Sequence, residues 1–492
     1  MSRHRSRRSH ARTDLVRYLR GGMEGVVLAL AALTPWAFGG VDPVFELALA
    51  AGLALLLALW AAVAVASGRL TVVRCPVTFV LALLFLAGLV QLVPLPTALL
   101  RVASPGAADL RAELYPSQPE QLTPTETAAP APAWPTVTMY PHATRTELFR
   151  WLGVLLLFAA VRNQVASTGS LWRLSLVMLL NGVLLAVFGL AQFFSKRYSV
   201  YWTFDTSGQP FGPFINRNHF AAYINLCLGL GGGLLIWLGP TEHDRKQRYM
   251  TKPNAPIQQS EVLAAAFAPF SVLHSPQQLW TCAGLALMLA ALVCSLSRGG
   301  VAALFLAVVA TTALRLTWPI RVRRLEVLLI PALLVLGLFA WVGFRPLETR
   351  LGAALRGSEA MADTRWQLWA DLVTLVPRFW LLGSGYGTLG YVEPLSRRAD
   401  TFTDPGTFVD HAHNDYLEAL VEGGVVRAGL TLLLVGLAFA AGFRGLRRYL
   451  GRTPGALAAG AMIGFLAIAL HSAVDFSITT PAVAVLAAVV VA

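Results

Sequence analysis

The sequence predicts an all-α polytopic membrane protein, and three observations carry that reading. Of 492 residues, 56% are hydrophobic and only 13% charged, against roughly 25% charged in an ordinary soluble domain. The apolar residues come in unbroken runs near ~20 residues long, enough to cross a bilayer as a helix. The remaining charge gathers between those runs as Arg and Lys clusters. A membrane β-barrel would need alternating segments of ~10 residues. Runs such as Phe45–Ala66 are continuous and exclude it. The net charge of +13 would suggest nucleic acid in a soluble protein. Here it is topology charge, because cytoplasmic connectors collect basic residues.

In chain order, Met1–Arg20 carries seven Arg and no Lys. The apolar run after it has no small-residue cleavage site, so residues 1–22 read as a basic cytoplasmic tail before a retained helix. Twelve spans can be drawn: 23–40, 44–66, 76–95, 147–162, 172–194, 218–238, 278–296, 299–316, 325–344, 418–442, 456–472 and 475–492. The last is a short terminal helix or the point where the chain stops early. With the tail inside, the cytoplasmic connectors and tail hold 23 of the 39 Lys and Arg, and both termini face the cytoplasm. Helices 1–9 then occupy 23–344 and helices 10–12 occupy 418–492. Loops 96–146, 195–217, 296–299 and 345–417 fall on the opposite, external face. The first of these is Pro- and Thr-rich and reads as a partly extended surface loop without chemistry. Cys75, Cys227, Cys282 and Cys294 lie in or beside apolar runs without a C-x-x-C pair, so they read as packing residues. No internal repeat, phosphate-loop, dinucleotide or H-E-x-x-H motif is present.

Polar residues concentrate on the external side. D-H-A-H-N-D-Y-L-E-A-L-V-E-G-G, Asp410 to Gly424, is the densest cluster, and polar side chains at a membrane boundary are costly unless solvated or functional. Asn414 suits the N-cap of the following span, with Glu418 and Glu422 in its first turns. The H-x-H pair with Asp475 or His471 also admits a metal, but no metal and no cofactor is assigned. G-P-F-I-N-R-N-H places Arg217 at a span mouth beside Asn216, Asn218 and His219; the plainer reading is a capped helix start with a snorkelling Arg. S-L-S-R-G-G sets Arg298 alone between two apolar runs, where Gly299 and Gly300 permit a tight turn and close approach. On a helix Arg365 shares a face with Trp369 while Trp366 lies off it, which also fits an interfacial aromatic belt. G-S-G-Y-G reads as a flexible turn and only weakly as a phosphate cradle. In H-S-A-V-D-F, His471 and Asp475 share a face as a hydrogen-bonded pair closing the bundle.

Arg217, Arg298 and Arg365 on one side of the membrane suit a lipid-linked diphosphate, since a guanidinium binds phosphate bidentately. A neighbouring His can accept a proton from a sugar hydroxyl. Together they describe glycosyl transfer from a polyprenyl diphosphate, with the departing charge developing against arginines and no metal strictly required.

The ordered set F-I-N-R-N-H-F-A, S-L-S-R-G-G, R-W-Q-L-W with L-G-S-G-Y-G, H-A-H-N-D-Y-L-E with E-G-G, and H-S-A-V-D-F resembles the O-antigen ligase and polymerase superfamily of bacterial inner-membrane proteins over roughly 210–480. The resemblance implies a GT-C-like fold of about twelve helices with a large periplasmic loop between late helices. It implies transfer of a glycan from undecaprenyl diphosphate to a lipid or glycan acceptor such as lipid A-core. Carried over, Arg217 and Arg298 bind the diphosphate, with Arg365 a further candidate. His413, standing directly before Asn-Asp-Tyr-Leu, is the base or acceptor-orienting residue, with His411 as neighbour or competitor. Asn414, Asp415, Asn218 and Asp475 support the site. A ligase and a polymerase share this donor chemistry. A lipid-linked sugar transporter would place its site near the midplane and often shows inverted repeats.

Overall fold

A computed structural model describes residues 2–114, 135–195, 197, 199–206, 208–238, 275–316, 365–398, 408–449 and 453–492. Those residues are helical, with isolated β-bridges but no strand among them. The helices are α1 (Ser2–Leu33), α2 (Pro43–Ser67), α3 (Pro76–Gln91), α4 (Thr97–Ala103), α5 (Pro105–Leu114), α6 (Pro141–Ala160) and α7 (Thr168–Phe194). Then follow α8 (Arg217–Trp237), α9 (Pro276–Cys294), α10 (Arg298–Leu316), α11 (residues 365–375), α12 (Asp415–Arg448), α13 (Thr453–His471) and α14 (Pro481–Val491). Seven of the described helices are long and apolar enough to cross a membrane: α2, α6 with its π-helical extension, α7, α8, α9, α12 and α13. Shorter apolar helices are α3, α10 and α14. The span expected at 325–344 lies outside the described residues. So do residues 345–364 and 399–407 of loop 345–417 and the Pro-rich centre of loop 96–146.

Helix starts follow the sequence signals. Pro stands at the first helical position of α2, α3, α6, α9 and α14, where its missing N–H costs no hydrogen bond. Asp42, Ser167, Asn216, Ser275 and Asn414 cap α2, α7, α8, α9 and α12 through side-chain oxygens.

The bundle is organised around α8, which is 89% buried over its apolar window and packs against α7, α9, α10, α13 and α14. Its tightest neighbour is α13, and the reason is steric. A Cβ on Gly229 would lie 2.5 Å from the Gly464 nitrogen and 2.6 Å from the Gly460 oxygen. Glycines four apart on both helices therefore let the backbones touch, the usual device where lipid supplies no hydrophobic drive.

Two expectations about loops change. Over 97–114 the loop expected to be extended is helical. Leu100, Ala103, Ala107 and Leu110 form a buried core with Leu368, Leu372, Leu375, Phe379 and Ala412. This cap covers the end of the bundle where α12 begins. The G-S-G-Y-G segment is a clasp, and its amides are already used. Ser384 and Gly385 donate to the Val421 and Glu422 carbonyls, both at 3.0 Å. Tyr386 N–H donates to Gln91 Oε1 at 3.0 Å. The clasp forces a break inside α12 at Gly424, whose φ is 60°. A Cβ there would run into the Leu381 carbonyl.

The last span also changes. The chain leaves α-helix after His471 and, after a short 3-10 turn at Ser477–Thr479, re-enters it at Pro481. The stretch between carries Asp475 and Phe476 sideways into the bundle end.

Candidate active site

Asp475 is the point on which the site turns. Its carboxylate is 1% exposed and accepts the Phe476 N–H at 2.8 Å. Three distant segments converge on it. Asn218, in the first turn of α8, donates its side-chain amide to Asp475. His413 Nδ1 lies 3.6 Å from one carboxylate oxygen, and Arg365 Nη2 lies 3.9 Å from the other. Burial alone would raise the Asp475 carboxyl. His413, His471 and Arg365 outweigh it and hold the group well below the usual carboxylate range. A stable anion is thus seated under a histidine and an arginine.

Arg365 Nη1 donates to the Val474 carbonyl at 3.1 Å, and Nη2 lies 3.4 Å from His413 Nδ1. Trp369, one turn on, donates to the Ala412 carbonyl at 2.8 Å, so α11 holds the histidine segment directly. Trp366 meets the Trp369 ring edge-on. Arg217 is the first residue of α8, close enough to Arg365, Arg298 and Asp475 for each to bear on its charge. Arg298 is the exposed first residue of α10. Two contacts fix that helix: Asn225 of α8 donates to the Gly300 carbonyl at 2.9 Å, and Gly299 lies beneath His471 and Val474. The left-handed residue of the turn is Leu296, φ 57°, while Gly299 and Gly300 serve close approach within α10. Arginines 81 and 67 positions apart in sequence are therefore gathered where α8, α10 and α12 all begin. Helix N-termini present unpaired N–H groups and positive dipole ends, which favour anions.

His413 adopts φ 50°, a left-handed conformation that costs a non-glycine residue ~1–2 kcal/mol. Such strain clusters at functional positions. Its neighbour Asn414 caps α12 by accepting the Tyr416 and Leu417 N–H groups at 3.1 Å. Asp415 is buried; its N–H donates to the Ser472 carbonyl at 2.8 Å, tying α12 to the turn that holds Asp475.

His411 faces a different partner. Its Nδ1 is 3.0 Å from Glu418 Oε1, and Glu418 Oε2 accepts the Ala412 N–H at 2.9 Å. Burial would lower the His411 imidazolium, but Glu418 reverses that and pushes it up to about 10. The two candidate histidines thus point to opposite carboxylates. Among the described residues no three His, Cys, Asp or Glu groups are arranged to hold a metal ion.

His471 is not hydrogen-bonded to Asp475 among the described residues. The expected i, i+4 pairing fails because α13 ends at His471 and the chain turns away. Two residues of consequence escaped the sequence reading. Glu418 was legible only as a helix-start acid. Phe476 had no signal beyond standing after Asp475, yet three histidines pack on its ring. His411 stacks at 4.2 Å, His413 meets it edge-on at 4.9 Å, and buried His219 does so at 4.8 Å.

No curated protein matches this chain. Residues 283–432 match the family model described as O-Antigen ligase. That stretch contains Arg298, Arg365, His411 and His413, while Arg217 and Asp475 come from either side of it and fold onto it. Over that stretch, and in the motifs that meet at this site, the chain is similar to the O-antigen ligase family.

Proposed function

We propose that this multi-pass protein of the bacterial inner membrane transfers a glycan from undecaprenyl diphosphate to an acceptor such as lipid A-core. The site faces the periplasm, and both termini are cytoplasmic. Arg217, Arg298 and Arg365 take the diphosphate oxygens. His413 is the base. A carboxylate beside Nδ1 favours the tautomer with its proton there, which leaves Nε2 free to accept. Arg365, now leaning on His413 Nδ1 at 3.4 Å, is drawn to the diphosphate when donor binds, and Asp475 takes over the orienting contact. The acceptor hydroxyl oxygen then attacks the anomeric carbon. Its proton passes to His413 Nε2, the bond from that carbon to the diphosphate oxygen breaks, and the diphosphate leaves with the electron pair. The growing negative charge meets guanidiniums already in place, which is where electrostatic catalysis gains most.

The observation that carries this reading is the meeting of Arg217, Arg365 and His413 around one buried carboxylate, with Arg298 near enough to Arg217 to bear on its charge. The test uses purified protein in nanodiscs with an undecaprenyl-diphosphate-linked repeat unit. His413→Ala lowers transfer by about 10²–10⁴-fold with donor binding retained, whereas Arg298→Ala weakens donor binding. Retained transfer in His413→Ala sinks the assignment. Product on a non-prenyl acceptor marks a ligase; longer lipid-linked chains mark a polymerase.

A further inference from the structure

We propose that His411 is a fourth cation of this site, kept protonated by Glu418 so that its Nε2–H donates to the donor diphosphate, leaving His413 as the only base. This rests on the donor assignment above and adds a charge that the three arginines do not supply.

The geometry carries it. Glu418 is held on both oxygens, one by His411 Nδ1 at 3.0 Å and one by the Ala412 N–H at 2.9 Å. It sits in the first turn of α12, where the helix dipole also favours the carboxylate. The His411 ring lies parallel to Phe476, 11° between planes and 4.2 Å between centroids. An imidazolium over an aromatic face gains a cation–π attraction that neutral imidazole lacks. With Nδ1 committed to Glu418 and the side chain 28% exposed, Nε2 is the edge left for a ligand. That edge belongs to a ring sharing Phe476 with His413, which itself touches Arg365.

The charged groups facing His411 agree in sign. Glu418 and Glu422 approach from α12 and Asp410 from its own segment. His219 of α8 is the nearby opposing group. The push of the His411 imidazolium to about 10 is consistent with this arrangement. A histidine already protonated at neutral pH cannot take a proton from an acceptor hydroxyl, but it can bind an anion. The plainer alternative is an ion pair that only fastens the segment before α12.

Binding of undecaprenyl diphosphate to the full chain in nanodiscs separates the two. His411→Gln keeps a side chain able to reach Glu418 and should bind about tenfold more weakly, the loss of one charge-assisted hydrogen bond at ~1.4 kcal/mol. Wild type should bind with little change from pH 6 to pH 9. Glu418→Gln removes the charge that holds the proton, so its binding should weaken as pH rises through the ordinary imidazole range, about 6.5. If His411→Gln does not fold, Glu418→Gln carries the test alone. Undiminished binding in folded His411→Gln, or a Glu418→Gln profile parallel to wild type, overturns the proposal. Arg298→Ala distinguishes the failures. Weakened binding there with none in His411→Gln sinks only the fourth cation. No weakening in either sinks the donor assignment as well.

Discussion

His411 and His413 are the same residue type, two positions apart, and end in opposite electrostatic settings. His413 lies beside the depressed carboxyl of Asp475 and shares it with Arg365, while His411 has Glu418 within 3.0 Å. The stability consequence follows from the direction of the His411 shift. Its folded value is raised to about 10 from the ordinary 6.5. The pair therefore stabilises fully below about pH 6.5, and the contribution fades as pH rises through about 10, where the unfolded and folded chains bind the same number of protons. Thermal unfolding of wild type and His411→Gln should differ most near pH 6, by on the order of a few kcal/mol. The gap should narrow steadily toward pH 10. A gap that ignores pH would mean the ion pair contributes nothing. The motif H-A-H-N-D-Y made both histidines candidates. It could not rank their chemistry, because the deciding carboxylates come from different elements, Glu418 in the first turn of α12 and Asp475 lying 62 positions beyond His413.

At the scale of elements, α8 and α13 decide whether the site exists. One carries Arg217 and Asn218, and the other leads directly into Asp475. Their close approach depends on glycine facing glycine. Gly460→Leu should separate the helices, costing about 1–3 kcal/mol by overpacking, and should reduce transfer more than donor partition into the membrane. Gly429→Leu on α12 is the control, since a Cβ there meets nothing within 4 Å, and it should leave unfolding temperature and transfer unchanged. Equal effects of the two substitutions would show that the glycine contact does not position the site. G-L-G-G-G and G-A-M-I-G stand openly in the sequence, but helical spacing alone does not say which glycine meets which partner. The same limit applied to G-S-G-Y-G. Its composition reads as a flexible turn and only weakly as a phosphate cradle, whereas its amides donate to Val421, Glu422 and Gln91 in a fixed clasp.

For the whole molecule, the capping layer and the helix ends define one polar face. Leu100 to Leu110 and Leu368 to Phe379 bury each other, and this layer holds Ala412 between the two histidines. The proposed orientation puts that face in the periplasm and the connector around Arg69 in the cytoplasm. A cysteine at Tyr391→Cys, a position 52% exposed on the cap, should react with a membrane-impermeant thiol reagent in intact cells. One at Arg69→Cys should react only after the membrane is opened. The reverse pattern would turn the active site to the wrong side for a periplasmic transfer.

Apolar run length and the placement of Arg and Lys determined the membrane class, because the bilayer demands internally satisfied backbone over a set thickness. The ordered motifs carried the resemblance to the O-antigen ligase family and nominated every arginine and histidine now found together. Tertiary structure alone decided which carboxylate each histidine faces, that Phe476 is their common floor, and that the chain leaves α-helix between His471 and Pro481 to bring Asp475 inward. Those facts depend on contacts between side chains from 7 to 257 residues apart, and no local periodicity records which side chain will arrive.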